Sequence, residues 1–165
     1  MSRYVVDTNV PIVANGRPDP DSRPPSIECR ESAVRFLMDL LNRHTVLLDI
    51  EGAIQAEYRH KLNPQGQPGV GDRFFQVVLH SSPDRVERVE LPKRPDGEYA
   101  DLPQSLIDAG FDLSDRKFAA LARREGVPVF NATDSDWIEH SATLDDEQIQ
   151  VEQLCGCDQA RWFAP

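Results

Sequence analysis

The chain has no apolar run long enough to span a bilayer, and its opening residues, MSRYVVDTNV, carry neither the basic flank nor the apolar core of a signal peptide. Both absences predict a soluble cytoplasmic protein. Basic residues are in deficit: 18 Lys and Arg stand against 28 Asp and Glu, a formal charge of −10 at pH 7. That balance argues against simple electrostatic capture of nucleic acid, which draws on a basic surface, so any site for a phosphate strand must account for the acids. Cysteine is sparse. Cys29, Cys155 and Cys157 are odd in number and lack the four-ligand spacing of a structural zinc site or the pattern of a secreted disulfide framework. Cys155-Gly156-Cys157 has the spacing to bind a soft metal or to oxidise, but three reduced thiols are the expectation. Nor does a glycine-rich turn directly follow a strand. GQPGVG sits in a helix-breaking loop and reads as linker, against a dinucleotide site.

What is present suits one globular α/β domain over residues 1–165, with 39% hydrophobic residues to build its core. Tyr4 to Asp7 reads as a buried strand, followed by a long loop from Pro11 to Pro25. Ala33, Val34, Leu37, Leu40 and Leu41 recur at helical spacing within Ser26 to Asn42, before a strand at Thr45 to Ile50. Helices follow over Glu51 to Leu62 and around Arg73 to His80, with a strand at Val86 to Leu91 in a segment rich in Pro and charge. A short helix over Gln104 to Ala109, a helix from Asp115 to Arg124 stopped by Gly126, and strands at Val127 to Asn131 and Gln150 to Leu154 complete the pattern. Alternating helices and apolar strands predict a mostly parallel central sheet flanked by helices.

In such folds ligands bind beyond the carboxyl ends of the strands, and that edge collects acids. Asp7 ends the first strand, Asp134 follows the strand Val127 to Asn131, and Asp136 lies two residues on. Asp115 falls in the first turn of its helix, with Asp112 ahead of it as a competitor. Glu57 lies one turn from Ala53 and Ile54 on the apolar stripe of its helix and so points partly inward. Each acid has an ordinary explanation: a first-turn acid at Asp115, a turn at Asp134, a pair between Glu57 and Arg59, His60 or Lys61. None of these explains four acids at one edge of a sheet. Two carboxylates about 5 Å apart repel by roughly 3 kcal/mol at an effective dielectric near 20. Such a cluster calls for cations, and an all-oxygen set suits magnesium or manganese rather than zinc.

V-V-D-T-N, the E-Y-R helix, the S-D-R-K-F-A-A-L-A helix and V-P-V-F-N-A-T-D-S-D-W, in that order from Asp7 to Trp137, resemble the PIN-domain nucleases. The resemblance implies a Rossmann-like fold with Asp7, Glu57, Asp115 and Asp134 as catalytic acids and metal ligands, and Asp136 as an auxiliary ligand. It implies that Thr8 or Asn9 orients Asp7 or holds a water at the metal. Thr133 stands where the family usually has Asn before the last acid.

The chemistry such a site supports is metal-assisted hydrolysis of a phosphodiester with Mg2+ or Mn2+. Single-stranded RNA is the expected substrate and DNA the alternative; Arg59, Lys61, Arg116 and Lys117, the bases closest in sequence to the acids, are the candidates to hold the strand, against the commoner role of a solvated face. A toxin-like member would have an antitoxin or other protein partner, and the family's small domains pair as homodimers. A haloacid-dehalogenase-like phosphotransferase would resemble D-x-D, but here the second acid is replaced by Asn9. The competing reading from another class is a non-catalytic PIN-like module that binds a basic partner through its acidic cleft.

Overall fold

In a computed structural model, residues 1–16 and 23–165 are described. Strand β1 (Arg3–Val6) enters the core with Val5 and Val6 fully buried. It pairs in parallel with β2 (Thr45–Asp49) on one side and with β4 (Val129–Asn131) on the other. β3 (Val86–Val89) extends the sheet beyond β2 and β5 (Val151–Gln153) beyond β4, again in parallel, giving the order β3-β2-β1-β4-β5. The chain passes from β1 to one neighbour and returns later to the other. That reversal opens a crevice at the carboxyl ends of β1 and β4, where Asp7 and Asp134 follow their strands.

The expected loop from Pro11 to Pro25 begins instead inside a helix, α1 (Asn9–Asn15). Pro11 is tolerated because its ring nitrogen falls in the first turn, where a backbone N–H has no intrahelical acceptor. Val10, Val13 and Ala14 give α1 a buried face, and Gly16, at φ +69°, closes it in the left-handed conformation. Residues 17–22 of that expected loop lie outside the described residues.

Helix α2 (Ile27–Arg43) starts at Ser26, whose hydroxyl accepts from the Cys29 N–H, and buries Cys29, Ala33, Leu37 and Leu40 along one stripe. α3 (Ala53–Lys61) starts over the buried Asp49 carboxylate, which takes the Ala53 and Ile54 N–H groups at 2.8 and 2.9 Å. α4 (Val70–His80) is anchored by Asp72, fully buried and bonded to the Asn63 and Gly69 N–H groups and the Asn15 amide. Asp49 and Asp72 are buried acids with wholly structural employment. α5 (Gln104–Asp108) precedes α6 (Arg116–Glu125), which packs across β1, β2 and β4 with α3 beside it. Two short helices not expected from the sequence, α7 (Asp136–Glu139) and α8 (Ser141–Asp146), connect β4 to β5.

Cys29 and Cys155 form a disulfide across 126 positions of sequence, and Cys157 is exposed and free. The expectation of three reduced thiols is thereby corrected. Spacing compares cysteines with near neighbours, whereas this pair meets because β5 delivers Cys155 to the amino end of α2. Among the described residues no helix is long and apolar enough to cross a membrane.

Candidate acidic active site

Asp7 is the first residue past β1 and is only 4% exposed. One oxygen accepts the Asn9 N–H at 3.0 Å, the other the Trp137 indole N–H at 2.6 Å. Asp115 is the N-cap residue of α6 and 5% exposed, yet its side chain makes no capping bond. The ordinary reason for an acid at a helix start therefore does not account for its direction. Asp134 follows β4 and accepts the Asp136 N–H at 3.0 Å, the local turn expected of such an acid. One carboxylate oxygen from each of Asp7, Asp115 and Asp134 lies within 4.8 Å of the others.

Bringing three acids together out of water disfavours their charged forms. Burial, followed by the Asp134 charge, pushes Asp7 up to about 7, against the opposing pull of the Asn9 and Trp137 N–H donors. Asp115 is pushed up to about 10 by burial and then by the Asp7 and Asp134 charges. Asp134 is also raised, chiefly by burial, while hydrogen bonds from the Asp136 N–H and Asp115 hold it down. Without a cation, burial and mutual repulsion disfavour full ionisation of the cluster.

Glu57 stands beside this trio with both oxygens engaged. Oε2 accepts from the Thr8 hydroxyl, and Oε1 lies 2.8 Å from Lys117 Nζ. Its partner is thus Lys117 from α6 rather than Arg59, His60 or Lys61 from its own helix. Lys117 is 9% exposed and also donates to the Ser114 carbonyl at 2.6 Å.

Two asparagines brace the turn that carries Asp134. The Asn9 amide donates to Asn131 Oδ1 at 2.9 Å, and its oxygen accepts from the Ala132 and Thr133 N–H groups at 2.7 and 3.0 Å. Asn131 in turn donates to the Asp134 carbonyl and accepts the Asp134 N–H, at 2.9 and 3.1 Å. The Asn9 side chain therefore ties the start of α1 to the end of β4 and the turn beyond it, and Thr8 orients Glu57 rather than Asp7.

Asp136 lies one step outward. Its carboxylate accepts the Asp112 N–H at 3.0 Å, faces His140 at 3.4 Å, and joins Glu139 and His140 in a second group of closely spaced ligand-type atoms. Asp112 is a turn acid, bonded to the Ser114 N–H and hydroxyl, the latter being the main reason its pKa is lowered. Of the bases, Arg116 pairs with Glu98 at 2.7 Å and donates to the Phe111 carbonyl. Arg59 is exposed above the Phe75 ring, and Lys61 is exposed at the end of α3. Trp137 is the participant that sequence reasoning missed. Its only signal was an indole next to the D-S-D turn.

Among solved structures, the crystal structure of VapBC2 from Rickettsia felis bound to a DNA fragment from their promoter contains a chain of similar fold. The TM-score is 0.51 at 16% identity, and the match covers 92% of this chain and 98% of that one. The fold is PIN-like. No family model and no curated protein matches the sequence.

Within this PIN-like fold the trio's donor set fits a hard divalent cation. Its atoms are all carboxylate oxygens, they repel one another when ionised, and among the described residues the buried base beside them, Lys117, is bonded to Glu57. Oxygens about 2.1 Å from a common ion lie at most about 4.2 Å apart, so the spacing within 4.8 Å is near what one ion requires.

Proposed function

We propose that the chain is a toxin-like, divalent-metal-dependent endonuclease of the cytoplasm that hydrolyses phosphodiester bonds in single-stranded RNA. The observation that carries this reading is the convergence of Asp7, Asp115 and Asp134, from three separate segments, on one buried point at the sheet's switch crevice. Asp49 and Asp72 sharpen it by contrast. Those buried acids each stand among N–H donors of the fold, whereas one oxygen from each of Asp7, Asp115 and Asp134 lies within 4.8 Å of the others.

In this reading Asp7, Asp115 and Asp134 hold Mg2+ or Mn2+. The bound ion supplies Lewis-acid chemistry, making water a better nucleophile at neutral pH and offsetting charge on the scissile phosphate. The chain's own residues hold the geometry. Trp137 and the Asn9 N–H fix both oxygens of Asp7, the Asn9–Asn131 brace sets the turn of Asp134, and the N-cap position aims Asp115 from the start of α6. Ion binding has to displace the protons that burial and repulsion favour on the trio. Asp136 backs Asp134 through its N–H and serves as an auxiliary acid.

This reading also meets the objection raised by the charge of −10. The phosphate strand approaches where much of the acids' charge is ion-bound. The chain of similar fold comes from the crystal structure of VapBC2 from Rickettsia felis bound to a DNA fragment from their promoter. An antitoxin-like protein partner and a homodimer are the assemblies we propose for this chain.

The test is incubation of purified protein with labelled single-stranded RNA and single-stranded DNA, with Mn2+ or Mg2+ and with chelator. Chelator-sensitive internal cleavage of RNA in preference to DNA is expected. Intact substrates across several sequences, with Mn2+ bound, would replace the enzyme by an acidic-cleft interaction module.

A further inference from the structure

The sequence sets Lys117 in a place that opposes stability twice. It lies in the first turn of α6, where the helix dipole disfavours a cation, and it is 9% exposed, where desolvation does so again. Glu57 offsets both. Its Oε1 sits 2.8 Å from Lys117 Nζ, while the Ser114 carbonyl takes a second N–H at 2.6 Å. The remaining Glu57 oxygen accepts from Thr8, so the ammonium and the hydroxyl hold one Glu57 oxygen each.

A two-ion site needs carboxylates on both flanks, because its ions stand about 3.5–4 Å apart and each draws on several oxygens. Here one flank is the trio. The other flank is Glu57, and a lysine ammonium occupies it. We propose that Lys117 is a built-in cation that takes the place of a second divalent ion and limits the site to one. Lys117 is thus a positioning residue that acts through Glu57. The inference rests on the reading of Asp7, Asp115 and Asp134 as an ion site. Removal of the ammonium by Lys117→Met, which preserves most of the side-chain volume, frees Glu57 Oε1 toward the trio and opens the second position.

The experiment counts Mn2+ bound per full-length chain by equilibrium titration and reads the ion's paramagnetic resonance at saturation. A second ion at the same site shows spin coupling, whereas an ion bound elsewhere on the surface does not. Wild type is expected to bind one uncoupled ion at the site, with Asp134→Asn weakening it by about 10-fold or more. Lys117→Met is expected to bind a coupled pair. Lys117→Arg, which keeps the charge, and the double variant Lys117→Met/Glu57→Gln, which removes the freed carboxylate, are both expected to return to one ion. A coupled pair in wild type overturns the proposal without recourse to any variant, as does a single uncoupled ion in folded Lys117→Met. Absence of Mn2+ binding in wild type, or binding indifferent to Asp134→Asn, would instead overturn the ion-site reading and this inference with it.

Discussion

The indole N–H of Trp137 donates to Asp7 Oδ2 at 2.6 Å, joining residues 130 positions apart. The same ring stands edge-to-face with Phe111 at 5.1 Å and is completely buried. One side chain thus anchors the turn after β4 in the core and favours the charged form of the central acid against its burial.

Trp137→Phe keeps much of the packing and removes the hydrogen bond. A bond to the carboxylate lowers the Asp7 pKa, so its loss raises that pKa above about 7. The acid limb of the pH–rate profile should move to higher pH, with cleavage reduced about 10-fold to 100-fold as the carboxylate loses its fixed direction. Stability should fall by about 1–3 kcal/mol. Rate profiles and chemical denaturation of both proteins check this; an unmoved acid limb would show that the indole only packs.

The metal-free protein should become less stable as pH rises. Asp7 and Asp115 have folded-state values of about 7 and about 10, above the roughly 3.9 of an unfolded aspartate, so the folded state binds more protons between those limits. The slope of unfolding free energy against pH from these groups is therefore negative, beginning above pH of about 4 and continuing through the neutral range. The lowered pKa of Asp112 acts oppositely, but only as pH falls toward and below about 3.9. Asp115→Asn fixes that position uncharged. It should melt higher than wild type at pH 7.5 without metal, flatten the pH dependence, lose most of the stabilisation given by Mn2+, and abolish cleavage. Asp112→Asn, which changes a turn acid, should retain most activity. Thermal melts across pH 5 to 8, with and without Mn2+, distinguish these outcomes; a lower melting temperature for Asp115→Asn would mean that its carboxylate is stabilising.

The disulfide makes a direct prediction about thiol count. Protein purified without reductant, denatured and alkylated, should take one label, at Cys157, and three after reduction. Mass spectrometry of the labelled peptides decides it. Three labels before reduction would show Cys29 and Cys155 as neighbouring thiols that remain unbonded, the state a reducing cytoplasm favours.

By itself the sequence determined the alternation of strands and helices and the acids that follow two of the strands. Runs such as Tyr4 to Val6 and Val46 to Leu48, and the stripe Ile54, Tyr58 and Leu62, report local periodicity, which depends only on near neighbours along the chain. Asp7 and Asp134 were legible because a carboxylate just past a core strand is conspicuous, and strand ends in a parallel sheet meet at one edge. α1 escaped because Pro11 mimics a loop, and α7 and α8 because elements of 4 and 6 residues are too short to show a period. Tertiary structure alone decided which buried acids serve the fold and which face one another. Asp49 closes a core strand much as Asp7 does; the start of α3 folded over it, giving its oxygens the Ala53 and Ile54 N–H groups, sets it apart. It also decided that Glu57 meets Lys117, 60 positions away, instead of the bases on its own helix, and that Trp137 reaches Asp7. Hydrogen bonds act over about 3 Å of space whatever the distance along the chain, so those partners were fixed only when the sheet brought α3, α6 and the turn after β4 to one crevice.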